Sequence, residues 1–172
     1  MRTLLASIEG EYRRYKSLAE GAMTQVADAA LADAAGSDNS IATIVWHISG
    51  NLQSRFTDFL TSDGEKPWRD RDSEFLARRV TRSELLAKWE EGWRVLFAAL
   101  AGLTDADLER MVTIRSQPHT VAQALHRSLA HASYHVGQIV YVAKALHGAD
   151  WQSLTIPPGQ SARYNKGRLG HV

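Results

Sequence analysis

The sequence predicts an all-α fold: an antiparallel four-helix bundle followed by an extended C-terminal tail. Three observations lead there. Four segments place apolar residues at the 3.6-residue helical period, and capping-box signatures precede two of them. No series of short alternating β-branched segments is present from which a sheet could be built. The connections are long enough to allow an up-down-down-up order as well as the simple one.

The first helical segment spans about residues 3–34, with Leu4, Ile8, Tyr12, Tyr15 and Leu18 in register. Gly21 weakens it without ending it, the Ala-rich part beyond is looser, and Gly36-Ser37-Asp38-Asn39 is a turn. Ser40 then caps a second helix whose stripe is Ile41, Ile44, Val45, Ile48, Leu52, Phe56 and Phe59. Gly64 and Pro67 stop it, and residues 65–80 form a polar, charge-rich loop.

Thr81 and Glu84 make a capping box for a third helix through Leu85, Trp89, Trp93, Leu96 and Leu100, closed near Gly102. Residues 104–108 form a short helical turn at most, and 111–115 alternate as a short strand or extended connector. Gln117-Pro118-His119 breaks that segment. Thr120 and Gln123 then cap a long fourth helix, 120–147. Beyond Gly148 the tail carries Pro157-Pro158, which no helix interior tolerates, so 151–172 reads as extended. The whole chain reads as one domain of 172 residues.

Composition narrows the function. Lys plus Arg is 20 and Asp plus Glu 19, a net charge of +1, which gives no electrostatic reason to expect nucleic acid or an anionic membrane as partner. Pairs such as Arg13-Arg14 and Arg78-Arg79 read as solvated helix faces. The N-terminus acquires charge at once and no apolar run reaches membrane-spanning length, so a cytoplasmic location is expected. There is no cysteine, which leaves any metal to His, Asp, Glu, backbone or water.

His131 and His135 lie four apart on the long helix, about 40° apart on its wheel, so both can reach one ion. Ala124, Ser128, Gln138 and Val142 share that narrow, small or polar strip. His126 falls on the far side. With seven histidines an HxxxH spacing arises by chance about one time in four, so the pair gains weight from His47, set among apolar residues of another helix. Metal sites in bundles assemble from facing helices in this way. His119 and His147 read as helix-end groups and His171 as part of a frayed tail. Ser128 could bond a histidine; Gln138 and Asn51, each one turn from a histidine, could orient a bound water or make supporting bonds. Tyr134 reads as ordinary packing, with closure of the pocket as the alternative, and Trp46, Trp89 and Trp93 as core or dimer contacts.

The stretch NSIATIVWHISGN, followed by HRSLAHASYHVGQIVYVAK, resembles the DinB-like (damage-inducible, YfiT-like) superfamily of four-helix bundles. HVGQI, residues 135–139, is its most specific piece, and the likeness extends over essentially the whole chain. It implies an up-down-down-up bundle, a homodimer, and a facial metal triad of His47, His131 and His135. It also implies chemistry like that of metal-dependent thiol S-transferases.

Three neutral imidazoles on Zn²⁺, Ni²⁺ or Mn²⁺ leave an open position for water or a thiol, whose pKa the ion lowers. Without a cysteine, the thiol must come from a low-molecular-weight cosubstrate attacking a small electrophile. Metal-dependent hydrolysis is the alternative. A non-enzymatic metal-binding dimer of stress-response type, or an interaction module whose tail wraps a partner, are the rivals from other classes.

Overall fold

The computed structural model describes residues 1–36 and 38–169, and is mostly helical with one small two-stranded sheet. Four long helices, α1 (Thr3–Thr24), α2 (Ile41–Phe56), α3 (Arg82–Ala101) and α4 (Val121–His147), share one hydrophobic core. A short α5 (Ser161–Leu169) follows. α2 packs chiefly on α3 and α1 on α4; α2 with α4 and α1 with α3 make the smaller contacts.

The caps form as the residue types dictate. Ser40 Oγ accepts from Thr43 N at 3.1 Å, and complete capping boxes open α3 at Thr81 and α4 at Thr120. Trp89 and Trp93 are fully buried between the helices. Gly92 allows α3 to lie directly on α2, since a Cβ there would sit 2.7 Å from the Ser49 Cα. Tyr12 Oη donates to Leu125 O at 2.9 Å and ties α1 to α4.

Several boundaries differ from expectation. α1 ends at Thr24, and a 3₁₀ turn, Asp28–Ala30, replaces the rest of the predicted helix. Leu5, not Leu4, is its first core residue; Leu4 is half exposed. α2 ends at Phe56, well before Gly64, because Asp58 takes a left-handed φ of 49° and turns the chain. The predicted turn at 36–39 begins at Ala35 and Gly36, both left-handed, while its Ser37 lies outside the described residues, as does His171.

Gln117–Thr120 does not break the extended segment but pairs with it. Strands β1 (Met111–Ile114) and β2 (Gln117–Thr120) form an antiparallel hairpin in which Ile114 faces Gln117. Arg115 and Ser116, with φ of 54° and 60°, make the two-residue turn that suits strand twist. Pro118 is tolerated because β2 has a free edge. The tail is not extended throughout: its two prolines precede α5, and Gly159 turns the chain at φ 78° between Pro158 and α5. No helix among the described residues is long and apolar enough to cross a membrane.

Candidate metal centre

α2 and α4 bring three imidazoles together. His47 points inward from α2, 4% exposed, and meets the half-buried His131 and His135 of α4. The ring centroids are 5.1 Å (His47–His131), 4.8 Å (His47–His135) and 4.5 Å (His131–His135) apart. His47 Nε2 lies 3.1 Å from His131 Nε2, and one ring nitrogen from each histidine falls within 4.8 Å of the others. Two nitrogens on a shared tetrahedral zinc sit about 3.3 Å apart, so the cluster needs only a small adjustment of His135 to close. The three-histidine group could hold a metal ion.

The far side of His47 is fixed by a residue from the long connection between α2 and α3. A 3₁₀ turn, Asp72–Phe75, sets the Glu74 carboxylate against His47 Nδ1 at 2.8 Å. Arg69 grips the same carboxylate with two bonds of 2.8 and 2.9 Å, and reaches Ser54 Oγ at 3.2 Å. Burial opposes ionisation of Glu74, but the His47 and Arg69 bonds outweigh it and hold the carboxyl below its usual range. An ionised carboxylate can only accept, so His47 donates from Nδ1 and turns its Nε2 edge toward the site.

Gly50, one turn from His47, makes room for this. A Cβ at that position would overlap the Glu74 carboxylate, with Cδ only 2.8 Å away. Arg78 supports the turn from outside, donating to Ser73 O at 2.6 Å and Glu74 O at 3.0 Å while lying over the Trp46 ring. It is not the solvated cation expected. Phe75 covers His47, ring centroids 4.7 Å apart.

His135 is fixed from its own helix. Its Nδ1 donates to Gln138 Oε1 at 2.7 Å, and the Gln138 amide donates in turn to Tyr134 Oη at 3.3 Å. Gln138 therefore orients the imidazole and leaves Nε2 free. Tyr134, expected as ordinary packing or as a residue closing the pocket, is 64% exposed and edges onto His135. Asn51 lines a cavity beside His47, with no side-chain bond to any histidine among the described residues. Ser128 lines the same cavity and makes no hydrogen bond to a histidine among the described residues, so the expected Ser–His bond is not formed. The adjacent Tyr12 hydroxyl gives its proton to Leu125 O.

Burial, followed by the charges of His135, His47, Arg69 and Arg55, pushes His131 down to about 3. Burial also lowers His135, against the Gln138 bond that favours its charged form. Both rings are thus held in the neutral form that coordinates a metal. His126 is exposed and apart from the cluster, while His119 bonds Gln117 O at 3.0 Å as an end group.

The sequence brought all three histidines into view but not Glu74, Arg69 or Gly50. The one local signal was Gly50 itself, since glycine inside a helix is unfavourable unless something approaches closely. Nothing in residues 65–80 marks which carboxylate turns back.

No curated protein and no solved structure matches the chain. A family described as "Protein of unknown function (DUF1572)" matches residues 1–160, a span that includes every group in the histidine cluster and its supports. The chain belongs to that family.

Proposed function

We propose that this protein is a DinB-like four-helix bundle, in up-down-down-up order, that binds one divalent ion (Zn²⁺, Ni²⁺ or Mn²⁺) through His47, His131 and His135. On this reading it is a metal-dependent transferase that moves a low-molecular-weight thiol onto a small electrophile. The observation that carries the metal reading is the convergence of three imidazole nitrogens from two helices within 4.8 Å. The neighbour pattern supports the topology, because α1 packs on α4 rather than chiefly on α2, the helix that follows it.

A divalent ion there supplies Lewis acidity and open coordination, which lowers the pKa of a bound thiol or water. The chain's own residues do the rest. Glu74 and Gln138 hold two rings by Nδ1, so that Nε2 faces inward. Phe75 and the α2 and α4 walls keep water from the buried side of His47. Among the described residues the three-histidine group includes no fourth protein ligand, since Glu74 approaches His47 from the opposite edge. Such an open set suits a catalytic site better than a closed structural one.

In the transfer an S–C bond replaces the thiol S–H, the leaving group departs with the bonding pair, and the proton passes to solvent. Metal-assisted hydrolysis is the second reading, favoured by the polar cavity that opens beside His131. We further propose a homodimer, supported by Tyr134 and Tyr141, 64% and 78% exposed on one stretch of α4. Light scattering reads the mass directly, and a monomer at micromolar concentration removes the dimer.

The activity test is thiol consumption by zinc-, nickel- or manganese-loaded protein, with a panel of small thiols and 1-chloro-2,4-dinitrobenzene as electrophile. Turnover abolished by His131→Ala supports the transferase. No turnover with any thiol, alongside ester hydrolysis by the same loaded protein, moves the reading to a hydrolase.

A further inference from the structure

The cavity beside His131, about 180 Å³, is lined by a concentration of guanidinium groups. Among the described residues, five arginines line it (Arg55, Arg69, Arg71, Arg115 and Arg127) and no acidic side chain does. In a chain of net charge +1 that is a local concentration. Only part of it is neutralised. Arg69 is committed to Glu74, while Glu65 alone serves both Arg55, at 3.2 Å, and Arg115, at 2.8 Å. Arg71 meets Asp72 only at 3.9 Å, on an aspartate that is almost wholly exposed. Arg127, one turn before His131 on α4, has no hydrogen bond or ion pair among the described residues.

The remaining wall is apolar, made by Phe56, Phe59 and Ile114. Between the two lies Ser128, 6% exposed, with the Tyr12 hydroxyl beside it. Incompletely paired guanidinium groups facing apolar side chains across one cavity mark space shaped for a ligand with an anionic head and an apolar body. The framework is rigid: Asp63 accepts from the backbone N–H groups of Arg115 and Ser116 at 2.8 and 2.7 Å, and Gly64 N donates to Thr113 O at 2.7 Å. These bonds pin the hairpin that carries Arg115 to the connection that carries Arg69 and Arg71.

We propose that this cavity binds a small organic oxyanion, a carboxylate or phosphate borne on an apolar body. Arg127, Arg115 and Arg71 hold the oxyanion at the open side, the body lies against Phe56 and Phe59, and the other end reaches His131. Guanidinium forks match carboxylate and phosphate oxygens in pairs, which a lone ammonium does not. A cavity of about 150 Å³ accommodates benzene, so one ring with its head group at the mouth is the right scale. The proposal deepens the metal-enzyme reading by naming its substrate class, and rests on that reading only for what the far end of the ligand meets.

The test is calorimetric titration with benzoate and with phenyl phosphate, and with benzyl alcohol as the neutral control, on both chelated and zinc-loaded protein. Both oxyanions are expected to bind, more weakly as salt is added, with benzyl alcohol at least tenfold weaker. Arg127→Gln or Arg115→Gln weakens oxyanion binding about tenfold or more, while Arg94→Gln, on the exposed face of α3, leaves it unchanged. Unfolding midpoints of each variant show that it is folded. The proposal is overturned if neither oxyanion binds wild type at millimolar concentration, or if binding occurs but ignores Arg127 and Arg115. Binding seen only with zinc and insensitive to the arginines likewise overturns it, because the ion is then the anion's partner. Arginine-dependent binding by protein that takes up no zinc leaves this proposal standing and removes the metal reading instead.

Discussion

Glu74 touches His47 Nδ1, the Arg69 guanidinium and the backbone face of Gly50 at once, and all three contacts are buried. Neutralising it by Glu74→Gln leaves the Arg69 charge, with its side chain 2% exposed, uncompensated. The expected loss is about 3–5 kcal/mol in urea unfolding, with zinc affinity falling about 10–100-fold in a competition titration. Unchanged zinc affinity in a folded Glu74→Gln protein would show that the carboxylate does not govern His47. Gly50→Ala acts on the same contact from the other side and is expected to lower metal affinity too, although alanine is the better helix former.

His131 adds a pH dependence. The folded apoprotein keeps it neutral down to about 3, whereas the unfolded chain protonates it near its ordinary value of 6.5. Between those limits the unfolded state holds the extra proton, so stability is flat above 6.5 and declines as pH falls through that window. The slope is up to about 1.4 kcal/mol per pH unit from this one group. Chelated His131→Gln protein is expected to show a shallower decline between pH 6.5 and 4, and parallel profiles would remove the assignment. At this scale the histidines were legible because helical periodicity alone puts His131 and His135 on one face. Glu74 was not, because its position depends on how a 25-residue connection (residues 57–81) folds back, and no local pattern encodes that.

Helices announce their starts more clearly than their ends. Ser40, Thr81 and Thr120 each begin a helix through a side-chain bond from the backbone N–H three residues on, a purely local interaction readable from residue types. The ends of α1 and α2 depended instead on where the chain had to turn to reach its neighbours, as Asp58 does with a strained φ. The hairpin was missed for a related reason: Arg115-Ser116 is not a glycine–asparagine turn, yet Asp63 supplies bonds to both N–H groups and stabilises it. Asp63→Ala is therefore expected to loosen the hairpin, read as faster amide exchange at Arg115 and Ser116. Gly92→Ala tests the α2–α3 contact. With the Ser49 backbone 2.7 Å from the new Cβ, the helices must separate, at a cost of about 1–3 kcal/mol in unfolding. A neutral or stabilising Gly92→Ala would mean that the two helices do not approach this closely.

At the scale of the whole molecule, the core and the histidine cluster are one construction. α2 carries His47 on the edge of a face whose other residues pack on α3, and α4 carries His131 and His135 beside residues that pack on α1. The proposed metal thus joins two helix pairs across their smaller contact, where an ion adds most to cohesion. Metal-loaded protein is expected to unfold at a higher temperature than chelated protein, increasingly so with free metal concentration. The sequence conveyed this arrangement only as far as which helices carry histidines. The arginine-lined cavity drew residues from the long connection, the hairpin and two helices, so no stretch of sequence displays it.

The most direct measurement is metal content per chain, by mass spectrometry on tag-free protein, for wild type, His47→Ala and His135→Ala. The account predicts close to one divalent ion per wild-type chain and its loss in both variants, since the two histidines come from different helices. A wild-type protein that holds no metal, before or after reconstitution with zinc, nickel and manganese, contradicts it.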